Sequence, residues 1–169
     1  MFDESKYNKR VDGIMNVCKF IVGKGVDIGC GTEPVHPDII ALDQQPDRRY
    51  AHADIVHNCE NLDVFAENVL DFIFSSHCLE DFENIPEVFR SWWSRLKIGG
   101  VMVLLLPDMQ GGRYPTVAQG GNPSHRTDVG VPFMTELLEN GDYNYEILQK
   151  DTILHNESCT FDFVIKRKG

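Results

Sequence analysis

Positive charge is scarce in this chain: 16 Lys and Arg stand against 26 Asp and Glu, for a formal net charge of −10. A phosphate backbone needs a cation for each charge neutralised, so this balance disfavours nucleic-acid binding without a partner. Long apolar runs are also missing. The longest unbroken one, Val101 to Leu106, is far shorter than the roughly 20 residues a helix needs to cross a bilayer, so no membrane association is expected. The first residues, Met1 to Lys6, are mixed in charge and largely polar, with neither the basic start nor the apolar core of a secretory signal; the expected compartment is the cytoplasm. The five cysteines, Cys18, Cys30, Cys59, Cys78 and Cys159, contain no Cys-x-x-Cys pair. That spacing suggests neither a disulfide framework nor a zinc site, so the thiols are expected to be reduced and mostly buried, and no metal is expected.

What is present suits one domain over residues 1–169. Apolar residues are 42% and charged residues 25% of the chain, which is enough for a packed core. Tyr7, Val11, Ile14, Met15, Cys18, Ile21 and Val22 recur at three- and four-residue steps, predicting a helix within residues 1–24 that Gly23 and Gly25 stop. Val26 to Ile28, Ile39 to Leu42, Ala53 to Val56 and Leu70 to Phe74 read as strands. Val101 to Leu106 is continuously apolar, as in a central strand covered on both faces. Between them, Ile85, Val88, Phe89, Trp92 and Leu96 mark one face of a helix with Asn84 as its cap, Trp92 in the core and Trp93 at the surface. Lys97 to Gly100 reads as a turn. Phe133 to Asn140 looks helical, Tyr143 to Leu148 and Thr160 to Ile165 look like final strands joined near Asn156 to Ser158, and Lys166 to Lys168 reads as a frayed tail. Strands alternating with helices imply a layered α/β domain with a mostly parallel sheet. Residues 109–132 carry five glycines and no periodicity, a length that suits a lid or substrate loop.

The segment Val26-Asp27-Ile28-Gly29-Cys30-Gly31 ends a strand in an acid and then turns on two glycines, which let a backbone approach a ligand with no Cβ in the way. Asp43 ends the next strand, where a carboxylate can accept from both hydroxyls of a ribose. Nicotinamide dinucleotides and S-adenosylmethionine both use such an arrangement. The dinucleotide fingerprint wants a third glycine and about 20 residues before the acid. Here Pro34 stands at the third position and twelve positions separate Gly31 from Asp43, which favours the second cofactor.

VDIGCG (Val26 to Gly31), Asp43, DFIFSSHCLEDF (Asp71 to Phe82) and LKIGGVMVLLLPD (Leu96 to Asp108), in that order, resemble the motifs of the class I S-adenosylmethionine-dependent methyltransferases. The resemblance covers roughly residues 20 to 110, and within the superfamily the Ser-Ser-His-Cys-Leu-Glu segment looks most like small enzymes of sugar and cell-surface metabolism. It implies a Rossmann-like three-layer sandwich whose seven-stranded sheet ends in an antiparallel hairpin. It also implies that Gly29, Cys30 and Gly31 meet the amino-acid end of the cofactor, that Asp27 orders its ammonium, and that Asp43 holds the ribose. Asp54 would accept from the adenine amino group, Ile55 would lie on the ring, and Ser75 would sit at the cofactor-binding mouth. Two departures stand out. Glu33 occupies the place of a frequent third glycine, and Asp81 follows Leu79-Glu80 where small relatives often carry histidine.

The activity implied is methyl transfer from S-adenosylmethionine to a small or sugar-like metabolite. Aligning a nucleophile behind a sulfonium methyl supplies much of the rate, and a base is needed only for a hydroxyl or ammonium acceptor. His77 and His125 are the candidate bases, with a purely structural role as the alternative for each. Asp108 stands where related enzymes face the acceptor, and Arg113 and Arg126 in the long loop suit an anionic group. Two other readings stay open: a catalytically silent binding or interaction protein of the same fold, and a nucleic-acid methyltransferase acting with a partner.

Overall fold

A computed structural model of the chain describes residues 1–11, 13–152 and 159–169. Its seven strands are β1 (Gly25–Ile28), β2 (Ile40–Asp43), β3 (Ile55–Val56), β4 (Leu70–Ser76), β5 (Leu96–Pro107), β6 (Tyr145–Thr152) and β7 (Thr160–Arg167). They form one sheet in the order β3-β2-β1-β4-β5-β7-β6. The first five are parallel, and β7 inserts antiparallel between β5 and β6. This is the Rossmann-like mixed sheet expected, with the final hairpin in place. The predicted junction at Asn156 to Ser158 lies outside the described residues.

Core residues fall on two faces, as alternation in a sheet requires. Met102, Leu104 and Leu106 of β5 and Phe161, Phe163 and Ile165 of β7 point toward α2 (Ile85–Arg95) and α3 (Val131–Asn140), while Val103, Leu105 and Val164 point to the other face. Helix α2 starts where predicted: the Asn84 side chain accepts from the Glu87 N–H, and Ile85, Val88, Phe89 and Trp92 are buried. Trp93 is buried too, stacked on Phe89 at 5.9 Å and edge-on to Tyr143 at 5.4 Å. Its expected surface position fails because Tyr143, beyond α3, closes over it.

The opposite face is covered by the amino-terminal segment, but not as one helix. A single α-helical turn, α1 (Ile14–Val17), is flanked by 3-10 turns at Glu4–Lys6 and Cys18–Phe20. Gly13, at φ +80°, stands immediately before α1 and cannot continue a helix through it. The predicted stripe still buries Tyr7, Ile14, Cys18 and Ile21, whereas Met15 and Val22 are exposed. His36, fully buried, packs between Phe2 and Tyr7 and holds the segment down through Asp3: its Nε2 lies 3.2 Å from the Asp3 carbonyl, while Nδ1 accepts from the Asp38 N–H.

Lys97 to Gly100 lies within β5 as a register irregularity, with Gly99 at φ +84°. The tail is not frayed either. Strand β7 runs to Arg167, whose guanidinium donates to the carbonyls of Trp93 and Leu96 at the end of α2, where cations favour the helix dipole. Helix α3 begins two residues before the predicted Phe133, because Pro132 is accommodated in its first turn.

The Trp92 indole donates to the Cys59 carbonyl at 2.7 Å inside the core, joining α2 to the segment after β3. Trp92→Phe removes that donor and leaves a buried carbonyl unpaired beside a small void. The expected loss is about 3 kcal/mol of stability, read as a lower urea midpoint at unchanged slope.

Candidate active site

Parallel strands bring their carboxyl ends to one edge, and ligands in open α/β sheets bind there. At that edge a cavity of about 240 Å³ is lined by Asp27 of β1 and Gly29 and Cys30 just after it, by Phe74, Ser76 and His77 at the end of β4, and by Arg10, Val11 and Glu33. The Arg10 guanidinium donates to Glu33 at 2.8 Å across the mouth of that cavity.

Asp27 is buried, and its carboxylate accepts the Val35 N–H at 2.7 Å. Burial pushes its pKa up to about 7, the Val35 bond opposing and the nearby Asp43 charge adding to the shift. Gly29 adopts φ +70° and Gly31 φ +53°. The Gly29 and Cys30 N–H groups both donate to the Leu42 carbonyl, and the Gly31 N–H donates to Asp43 Oδ2 at 3.0 Å. The turn is therefore closed on β2 by its own donors. What it presents to a ligand is acceptor capacity and the absence of a side chain at Gly29.

Asp43 also takes the Gln45 N–H on Oδ1 at 2.8 Å. Each carboxylate oxygen thus holds one backbone donor and retains a second lone pair. Asp54 precedes β3, and its carboxylate accepts the Ala41 N–H at 3.0 Å, bracing β2. Register pairs Asp43 with Val56, so the residue after β3 at the ligand edge is His57. Ile55 packs toward the α2 core. Ser75 is fully buried and donates its hydroxyl to the Ile28 carbonyl at 2.9 Å, tying β4 to β1.

The two candidate bases come together through a residue that sequence reasoning passed over. Glu80 is 0% exposed, and neither of its carboxylate oxygens has a hydrogen-bond donor among the described residues. His77 Nδ1 and His125 Nε2 each lie 3.5 Å from Glu80 Oε1. His77, whose side chain is 37% exposed, faces the cavity from the end of β4; its Nε2 lies 3.0 Å from Thr160 Oγ1. His125 is 5% exposed and rests against the Tyr114 ring, away from the residues that line the cavity. Asp81 Oδ1 is 4.0 Å from His125 Nε2, so Glu80, Asp81 and His125 converge. Spacing along the chain gives no metal-ligand pattern, whereas folding assembles a candidate one.

The glycine-rich segment is pinned at many points. Asp108 accepts the Gly111 N–H and lies 3.9 Å from Arg113 Nε. Val117 N–H donates to Asp128, Met109 N–H to the Val129 carbonyl, and the Arg126 and Thr127 N–H groups both donate to the Glu80 carbonyl. Arg126 is exposed. Asp108 and Arg113 thus sit together, apart from Arg126.

A family model described as a methyltransferase domain matches residues 8–141. The chain belongs to the methyltransferase domain family. No curated protein matches this methyltransferase. Among solved structures it is similar to a SAM-dependent methyltransferase from Archaeoglobus fulgidus, at 17% identity and TM-score 0.63, with 91% of each chain covered. It is similar also to the PH0226 protein from Pyrococcus horikoshii, at 16% identity and TM-score 0.69, over 95% of this chain and 90% of that one. An S-adenosylmethionine-dependent methyltransferase from Mesorhizobium loti gives 13% identity and TM-score 0.66, over 92% and 97%. At such identities these likenesses concern the fold, which they share with the methyltransferase described here.

A Cβ added at Gly29 would meet Cys78 Sγ at 2.5 Å, whereas one at Gly31 meets nothing within 4 Å. Both sites carry the left-handed strain of about 1–2 kcal/mol for an L side chain. Gly29→Ala is therefore expected to destabilise clearly more than Gly31→Ala, and denaturant titration of the two variants measures the difference.

Proposed function

We propose that this methyltransferase uses S-adenosylmethionine and methylates a hydroxyl or amine of a small, sugar-like metabolite. The observation that carries the reading is the cavity where β1 and β4 end, which sets a buried carboxylate, a side-chain-free glycine and a histidine around one space. Bound there, the cofactor supplies a methyl group already attached to a sulfonium leaving group. The donor set suits it: Asp27 offers the acceptor an ammonium needs, Arg10 at the mouth offers a cation for a carboxylate, and Asp43 keeps lone pairs for ribose hydroxyls. Gly29 leaves room for close approach. In this reading Asp54 and Ser75 support the strands from behind the site, and Ile55 acts from the core side of β3.

His77 is the base. Nε2 gives up its bond to Thr160 and takes the acceptor's proton, with Nδ1 turned toward Glu80 Oε1 at 3.5 Å. His125 acts on the far side of Glu80 and positions it. Asp108 and Arg113 hold the long segment in place, and Arg126 remains available to an anionic group on the acceptor. The net charge of −10 supports a small acceptor over a polyanion.

An ammonium is held by an ionised Asp27, so protonation must be reversed for binding. Cofactor affinity is expected to fall as pH drops below about 7, approaching tenfold per pH unit. Calorimetric titration with S-adenosylhomocysteine across neutral pH checks this, and Asp27→Asn should give weak, pH-independent binding. Saturable NAD binding with no S-adenosyl ligand bound would overturn the cofactor assignment.

With labelled cofactor and a metabolite pool, His77→Gln should lower methyl incorporation by about 100-fold or more while S-adenosylhomocysteine affinity stays within twofold or so of wild type. Wild-type incorporation in that variant removes His77 from catalysis. Cofactor binding without incorporation by the unaltered chain into any pool would favour the silent binding protein.

A further inference from the structure

A fully buried carboxylate with no hydrogen-bond donor is costly unless a cation answers it. Glu80 is in that position at the carboxyl end of β4, and His125 Nδ1 is likewise buried without a partner among the described residues. The 3.5 Å separation of His125 Nε2 from Glu80 Oε1 is too long for an N–H···O hydrogen bond, which lies at roughly 2.7–3.2 Å. It is close to the edge of a tetrahedron of ligands around zinc, about 3.4 Å for metal–ligand bonds of about 2.1 Å. Asp81 Oδ1 lies 4.0 Å from the same nitrogen, and one ligand atom from each of the three residues lies within 4.8 Å of the others.

We propose that Glu80, Asp81 and His125 form a site for one divalent cation of zinc type. One imidazole and two carboxylates are borderline ligands suited to zinc or manganese rather than to a thiolate-seeking ion. The Ser124 hydroxyl donates to Asp81 Oδ1 at 2.9 Å, as an outer-shell group that orients a carboxylate ligand does. The Arg126 and Thr127 N–H groups, held by the Glu80 carbonyl at 2.8 and 3.2 Å, fix the segment that supplies His125. Three protein ligands leave a fourth position, and the Asp81 side chain, 34% exposed, opens that side to solvent. A water, hydroxyl or carboxylate would complete the shell there. The site stands on this geometry whether or not the chain turns over any methyl acceptor.

The test uses the full chain, stripped by dialysis against a chelator and titrated with zinc chloride by calorimetry. Saturable binding of one ion per chain is expected, with a higher melting temperature. Asp81→Asn, at a half-exposed position that tolerates an isosteric change, and His125→Gln should each weaken binding at least about 100-fold. His57→Asn, which removes a surface histidine paired with Asp63 at 2.8 Å, should leave it unchanged. Cobalt in the same site should show d–d bands without thiolate-to-metal charge transfer. No saturable binding by the unaltered chain, binding that survives both site variants, or a thiolate signature would each overturn the site.

Discussion

The first three strands are joined by connections that hold no helix, and this constrains everything around the cavity. Backbone donors that a helix would satisfy internally must find side chains or water, since buried N–H groups are nearly always paired. Two aspartates meet that need in the connections, Asp27 taking Val35 and Asp43 taking Gly31 and Gln45, while Asp54 takes the Ala41 N–H of β2. The acidic composition of this half of the molecule is in part a structural requirement. Asp27 and Asp43 lie at the carboxyl edge of the sheet, so the atoms that hold these loops are the ones the proposed cofactor site would use.

The other half is built differently. Central strand β5 and its partner β7 bury apolar side chains on both faces, with α2 and α3 packed on one of them. Hydrophobic burial dominates here, and the buried polar residues include Thr160 and Asp162 of β7, Asp108, His125 and, beside it, Glu80. Its backbone carbonyl organises the 122–127 segment while its side chain faces the ring nitrogens. A single residue therefore couples the end of β4, the long connection and the histidine at the cavity.

Much of this architecture was legible in the sequence because it is periodic or continuous. The apolar run at Val101 to Leu106 and the Asn84-capped stripe of α2 each have one low-energy reading. The glycine turn and Asp43 were legible because the backbone there needs positive φ and a side-chain acceptor. Other features arise only from long-range contacts. Helix propensity over the first 24 residues lost to Gly13 and to the clamp on His36, and Arg167 found carbonyls on α2 far along the chain. The bonds of Asp54 to Ala41 and of Ser75 to Ile28 likewise follow only from the fold. Glu80 drew no attention because a Glu between Leu79 and Asp81 reads as solvent-facing, and only tertiary packing buries it.

Glycine content and length suit a lid or substrate loop for residues 109–132, and the hydrogen bonds show how that segment is tied to the rest of the domain. Glu80 accepts the Arg126 and Thr127 N–H groups from outside that segment and Asp108 that of Gly111 at its start, while Asp128 and Val129 accept from Val117 and Met109 within it; displacing it would cost about 1 kcal/mol for each bond broken. The mouth of the cavity is instead crossed by the Arg10–Glu33 pair, whose arginine side chain is 81% exposed. An exposed ion pair contributes 1 kcal/mol or less and weakens further in salt. Entry to the cavity is thus opposed far less at the amino-terminal segment than at the glycine-rich one. The long connection brings His125 to Glu80, and the exposed Arg10–Glu33 pair lies across the mouth of the cavity on the other side.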